Sequence, residues 1–515
     1  MNNKPLYFLL LSILFCCLSQ LSRAQERERA LEKFFSEINK NGDISGSVLV
    51  AENGKVLYER SFGYADAQNK IPNTPNTLFQ IASVSKLFTS IAVLQLYEQK
   101  KFNLTDKFSK YIPDFPYPDI TVYELLANTS GVPDVGDIFV PLWKPHHDTV
   151  FYLKDIIPAL RSQKLQPGFT PGENWDYSNT NYALLALLVE KVSGESYGAY
   201  LSKHVFIPAG MKTTFQKTSG TNPYTRLNVA CNYAWPSLSA MASARVDSFA
   251  TNDFKVHYRA WPSEGDANIY TSVSDLSRFD QALFAGRLLS PQKLKLLFSP
   301  TVRNNGRKTI LNGVASDIGT IGDFYWGFGN RISLDTTMGK IVWESGGLPG
   351  CSANIMQNLT KHQLVIWLNN KESNAAMDNM FVALALLNGK EAIVKKAKKQ
   401  AAPIFARSLI GFGEDQAFAR MVTMAADTGN YTVAENDLND LAYEFYNSPR
   451  SELALQTLRA AVAIFPGSDN LFNSYGELLA KSGKKEAAVM MYEKSLLLNP
   501  KNEDSKKAIA NLLRK

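Results

Sequence analysis

Ser83 and Lys86 stand three residues apart in IASVSKLFTS, Ile81 to Ser90, at the head of an apolar run. On a helix that spacing puts both side chains on one face, so an ammonium group can reach a hydroxyl. At a helix start the hydroxyl also lies near unpaired backbone N–H groups and the positive end of the dipole, which favour developing negative charge. The chemistry on offer is attack by an activated serine. The plain alternative is an N-capping serine followed by a solvent lysine. Spacing alone does not decide, because Ser-x-x-Lys recurs at Ser290/Lys293, opening the surface-like helix SPQKLKLLF, and at Ser482/Lys485, in a turn.

Two more groups bear on the choice. Tyr177 begins the chain's one Tyr-x-Asn, in PGENWDYSNTNYALL, ahead of a helical pattern. A phenol there can shuttle a proton to a leaving group, and Asn179 can hold both Lys86 and a substrate amide; a turn with a helix cap is the alternative. In ESGGLPGCSA, Glu344 to Ala353, glycines at a strand end let a substrate lie against the backbone.

These groups need a frame. SGSVLVAENGKVLYERSFGYA reads as two strands around Asn53-Gly54, a strong hairpin signal. GKIVWESGG, SANIMQN and HQLVIWLNN read as three antiparallel strands. Between these strand groups SKLFTSIAVLQLYEQ and NTNYALLALLVEKVSG are helical, the second closing on Gly194. Sheet at both ends with helices inserted predicts an α+β domain over residues 41–390, its N- and C-terminal strands sharing one sheet. A helix precedes it over 25–40.

A helical linker over 391–434 and an all-α module over 435–515 follow. The module aligns with itself at a period of 34, with Ala442 over Gly476, Ala454 over Ala488, Leu458 over Tyr492 and Pro466 over Pro500. Period and small-residue positions resemble tetratricopeptide repeats with a capping helix, either a groove for a peptide or protein partner or a structural brace.

Ser83-x-x-Lys86, Tyr177-Ser178-Asn179 and Glu344-Ser345-Gly346-Gly347, in this order, resemble the serine β-lactamase and penicillin-binding-protein-like family, nearest its class C β-lactamase, D,D-carboxypeptidase and esterase branch. LLANTSGVPD, FIPAGMKTT, NIYTSVSDLSRFDQAL and YWGFGNRI resemble further family segments. The resemblance implies an antiparallel sheet flanked by helices, with a helical subdomain and the site between them. It implies Ser83 as nucleophile, Lys86 and Tyr177 as proton carriers, Asn179 and Ser345 beside the substrate, and an oxyanion hole from the N–H groups of Ser83 and Gly347. An ester, a D-amino-acid peptide or a β-lactam would be cleaved through an acyl-enzyme, with no metal or cofactor.

Two positions depart from the pattern. Glu344 stands where the family usually has Lys or His. At an effective dielectric of ~20, unit charges ~6 Å apart interact by about 3 kcal/mol, so an ionised Glu344 aimed at the site would keep Lys86 protonated and repel a substrate carboxylate. The expectation is that Glu344 turns away, pairs with a cation, or faces a substrate lacking a carboxylate. Asn128, where the family often has His, is expected to make a structural hydrogen bond. The competing class is a non-catalytic binding protein using its repeats as a docking surface.

The first 24 residues carry a basic Lys4, an apolar stretch from Leu6 to Leu18 and small residues before Gln25, the pattern of a secretory signal peptide. The mature protein is then expected in the periplasm or outside the cell, with no transmembrane span. Removing Lys4 and Arg23 lowers the net charge from +7 to +5, too mild a surplus to imply nucleic acid. Cys231 and Cys351 remain, either paired or as two buried thiols. Gly194 to Gly198, GESYG, matches a hydrolase elbow around Ser196, but a helix precedes it where a strand is required. The five histidines have no clear metal-ligand spacing.

Overall fold

The computed structural model describes residues 25–513 except 146, 249–261, 312–322, 335–337, 374 and 392. Residues 1–24, read above as a signal peptide, therefore lie outside the described residues. The chain divides into two units, one running to Ala234 and resuming over Arg245–Lys395, the other comprising Trp235–Ala244 and Lys396–Lys515.

The first unit is built on an eight-stranded sheet. Its strands are β1 (Gly46–Glu52), β2 (Lys55–Phe62), β3 (Ile310–Leu311), β4 (Phe324–Trp326), β5 (Arg331–Ser333), β6 (Ile341–Leu348), β7 (Cys351–Asn358) and β8 (Gln363–Asn369). They lie in the order β3-β4-β5-β6-β7-β8-β1-β2, every neighbour antiparallel. The expected sharing of one sheet by the two ends of the domain is the pairing of β1 with β8, from Gly46 opposite Asn369 to Glu52 opposite Gln363. At the β1–β2 turn Asn53 and Gly54 both take positive φ, 51° and 74°, the conformation a two-residue hairpin needs.

Both faces of this sheet are covered, which explains why β1 and β8 read as nearly continuous apolar runs. Along each strand alternate residues diverge. Val48, Val50, Val365 and Trp367 pack with Leu31, Phe35, Phe381 and Leu384, which come from the helix over 25–40 and the helix Ala376–Leu387. Leu49, Ala51, Ile366 and Leu368 pack on the other face with Val84, Phe88, Ile91 and Phe279. That second face carries the two helices that matter for the site: α1 (Ser85–Glu98) and α2 (Asn179–Ser193). As the sequence predicts, α2 ends on Gly194 in a left-handed conformation, φ 76°.

The second unit is helical from Ala401 to Leu513, apart from short connections and the two-residue strand Tyr431–Thr432, which pairs with Lys399–Gln400. Its aligned small residues sit where helices touch: Ala442, Ala454 and Ala488 are fully buried, and a Cβ on Gly476 would come within 2.9 Å of the Tyr492 ring. The ten residues Trp235–Ala244 group with these helices and not with the sheet. Glu444 accepts hydrogen bonds from the backbone N–H groups of Leu238 and Ser239, both at 2.9 Å, and Arg407 lies over the Trp235 ring at 4.3 Å. A contact of this kind leaves no trace in composition. No helix among the described residues is long and apolar enough to cross a membrane.

Candidate active site

Ser83 does not open a helix in the ordinary sense. It sits in a single 3-10 turn, Ala82–Val84, between the short strand Phe79–Gln80 and α1. Neither the turn nor α1 has a side-chain N-cap, so the capping alternative does not hold. Ala82 takes φ 43°, a left-handed conformation that a residue with a Cβ adopts at a cost. The bend leaves Ser83 half-buried between buried neighbours.

Lys86 is not a solvent lysine either: it is fully buried. Its Nζ donates to Ser83 Oγ at 3.0 Å, Asn179 Oδ1 at 2.8 Å and the Asp266 carbonyl at 3.2 Å. Three acceptors use all three N–H bonds of an ammonium group. Burial pulls the Lys86 pKa down, yet the Tyr177 oxygen, Asp266 and Glu344 outweigh it and hold the value above that of an ordinary lysine. Lys86 is thus a fixed positive charge beside the serine.

Tyr177 approaches from the other side, its OH donating to Ser83 Oγ at 2.8 Å. Its ring stands edge-on to Trp326, with centroids 5.8 Å apart. Asn128 supports the loop that carries it. The Asn128 carbonyl accepts the Asp176 N–H at 3.0 Å, and its side chain accepts from Asn181 at 2.7 Å, the structural role expected of it. Asn179 is fixed by Asp134, whose Oδ1 takes the Asn179 N–H at 2.6 Å and that of Thr180 at 3.4 Å, while Oδ2 takes Asn179 Nδ2 at 3.3 Å. Asp134 therefore does for α2 what a local N-cap would do.

β6 forms the facing wall. A Cβ on Gly346 would fall 2.2 Å from the Ile81 carbonyl and 2.8 Å from the Ser83 nitrogen, so only glycine lets the strand lie so close to the turn. Beside Gly347, by contrast, there is open space, and the residue is exposed. Ser345 is half-buried between them and Glu344. Glu344 neither turns to solvent nor stands alone. It is 1% exposed, and its Oε1 accepts from Arg331 Nη1 at 2.9 Å across the β5–β6 pair. Burial raises the Glu344 pKa, with Arg331 and Lys86 pulling it back. Of the three expectations for Glu344, pairing with a cation is the one observed.

Ser83, Lys86, Tyr177, Asn179, Gly347, Ser345 and Glu344 thus come together from three segments of the chain. The sequence reading missed Asp134, Asp266 and Arg331, although the first and third fall within quoted segments, LLANTSGVPD and YWGFGNRI. The other candidates go elsewhere. Ser196 lies between the helices Asn179–Ser193 and Tyr197–Leu201, so no strand-to-helix elbow forms there. Ser290 caps its own helix, accepting the Lys293 N–H at 3.4 Å, and Ser482 donates to the Leu478 carbonyl at 2.7 Å. Cys231 and Cys351 are free, buried thiols. His146 and His257 lie outside the described residues.

The family model described as Beta-lactamase matches residues 31–387. Penicillin-binding protein 4* of Bacillus subtilis (strain 168) is 30% identical over 473 residues, which cover 90% of this chain and 99% of that protein. Among solved structures, a penicillin binding protein from Bacillus halodurans superposes with a TM-score of 0.56 at 27% identity, covering 68% of this chain and 99% of the other. The D-amino acid amidase from Ochrobactrum anthropi SV3 shares the fold, with a TM-score of 0.55 at 22% identity over 70% of this chain and 97% of the amidase.

Proposed function

The chain belongs to the beta-lactamase family, and from that premise we propose that it is a secreted or periplasmic serine hydrolase that cleaves ester or amide bonds through an acyl-enzyme on Ser83. The observation that carries this reading is the placement of Ser83 Oγ between the Lys86 ammonium at 3.0 Å and the Tyr177 hydroxyl at 2.8 Å. In the reactive form the Lys86–Tyr177–Ser83 group has lost one proton, so that the Lys86–Tyr177 pair takes the Ser83 proton as Oγ attacks the carbonyl carbon and hands it to the leaving oxygen or nitrogen as that bond breaks. The N–H groups of Ser83 and Gly347 receive the developing oxyanion. Water then attacks the acyl-enzyme by the same proton route in reverse, freeing the acid and restoring Ser83. A pure binding protein has no need to bury an ammonium group between a serine and a tyrosine, since burying a charge costs several kcal/mol.

The test is acylation. The chain without its first 24 residues and its Ser83→Ala variant, treated with a fluorophosphonate and with a fluorescent penicillin, are expected to differ completely: one adduct mapping to Ser83 in the first, none in the second. Folded protein that takes up neither probe would turn the reading toward a binding protein.

Glu344 and Arg331 bear on substrate choice. Their charges cancel next to the site, so this pair offers a substrate carboxylate no net charge. Replacing Glu344 by lysine would set it against Arg331, which makes Glu344→Gln the informative change. It keeps the shape and releases the guanidinium. The expected result is a rise of about tenfold in kcat/KM for a penicillin or a D-alanyl peptide, relative to a neutral p-nitrophenyl ester, from one unmasked charge. An unchanged ratio in a variant that melts normally would remove Arg331 from the account of specificity.

A further inference from the structure

We propose that Asp266 is a positioning residue for this hydrolysis: its carboxyl is the counter-charge that keeps Lys86 an ammonium and thereby sets the pH at which Ser83 becomes reactive. The inference rests on the acyl-enzyme reading and deepens it.

Asp266 lies just ahead of the strand Ile269–Thr271, and its carbonyl takes one N–H of Lys86 at 3.2 Å. Its side chain is wholly buried, and neither carboxyl oxygen accepts a hydrogen bond from another described residue. An ionised carboxylate left this way is costly unless a cation stands near. Lys86 is that cation, while Asp134 and Glu264 push the other way.

The neighbouring acids are otherwise engaged. Glu344 has Arg331, Asp134 holds the start of α2, and Glu264 accepts from Ser219 N at 2.8 Å and Ser219 Oγ at 2.9 Å. The remaining titratable neighbours are Lys217, whose charge acts on Glu264, and three phenols: Tyr177 from the loop before α2, Tyr182 from α2, with its ring 5.7 Å from Lys86 Nζ, and Tyr197 from the helix Tyr197–Leu201. Asp266 is thus the acid of this group whose carboxyl has no partner but the Lys86 charge.

Burial pushes the Asp266 pKa up to about 7, so its charge changes in the neutral range. The sign follows. Ionised Asp266 favours the proton on Lys86, and the loss of a proton from the Lys86–Tyr177–Ser83 group that attack requires is deferred to higher pH. Removing the charge moves that step to lower pH by about 1 unit.

The experiment is the rate of Ser83 labelling by a fluorophosphonate as a function of pH, read by intact mass and peptide mapping on the wild type, Asp266→Asn and Glu264→Gln. The rising limb is expected about one pH unit lower in Asp266→Asn and unmoved in Glu264→Gln. Coincident limbs for wild type and Asp266→Asn overturn the role of Asp266 while leaving the hydrolase intact. No Ser83 adduct in the wild type at any pH overturns the hydrolase reading itself, and this one with it. Should Asp266→Asn not fold, NMR of the wild type with 13C-labelled lysine decides. A Lys86 signal that shifts through the neutral range, where Asp266 ionises, supports the counter-charge, and one that is flat there rejects it.

Discussion

Replacing Lys86 by methionine is expected to slow acylation of Ser83 by about 10³-fold while changing stability far less. The first half follows from position. Lys86 supplies both a fixed charge 3.0 Å from Ser83 Oγ and a link in the proposed proton route, and each such contribution is worth about 10²-fold or more. The second half follows from opposing costs. Methionine removes the desolvation cost of a fully buried ammonium, but it strands Asn179 Oδ1 and the Asp266 carbonyl, at roughly 1–3 kcal/mol each, and leaves the buried Asp266 carboxyl to take up a proton in place of its cation. Arginine is not expected to rescue, because a planar guanidinium cannot occupy a pocket shaped for a single nitrogen with three acceptors. Labelling rates and thermal melts on the same preparations check both halves. A methionine variant labelled at the wild-type rate would remove Lys86 from the chemistry.

The second large effect is expected from one methyl group. In Gly346→Ala the new Cβ would meet the Ile81 carbonyl at 2.2 Å and the Ser83 nitrogen at 2.8 Å, both backbone atoms that no side-chain rotation can clear. Either β6 or the turn carrying Ser83 must move. Overpacking of this kind costs typically 1–3 kcal/mol, and a shift of about 1 Å at the nucleophile costs roughly 10²-fold in rate. Gly347→Ala is the matched comparison, since nothing lies within 4 Å of its Cβ. It is expected to melt like the wild type and to lose rate only through crowding of the substrate. Equal activities for the two variants would contradict the close approach of β6 to the Ser83 turn.

The frame of the first unit was legible because its signals are local. The hairpin at Asn53-Gly54 is a conformational preference of two residues, and the stop of α2 at Gly194 is a preference of one. The strand pattern of β6, β7 and β8 survives in the sequence because each strand is bounded by turn residues. The close packing of Gly346 was legible only as a glycine on a strand; that the adjoining Gly347 instead borders open space was not, since the difference lies in what faces each residue.

The residues missed share a different cause. Arg331 reaches Glu344 across a strand pair, Asp134 caps a helix that begins 45 positions later, and Asp266 meets Lys86 over a separation of 180. None of these contacts follows from spacing, because helix and strand periods relate only near neighbours.

By itself, then, the amino-acid sequence determined the elements, the order of the three motifs and the chemistry their side chains permit. Whether Ser83 capped a helix or faced Lys86 and Tyr177, whether Glu344 opposed the site or was neutralised, and which buried acid was left facing Lys86 were decided by the tertiary structure alone. The reason is that electrostatic energy depends on distance through space and on the water excluded between charges, and folding sets both.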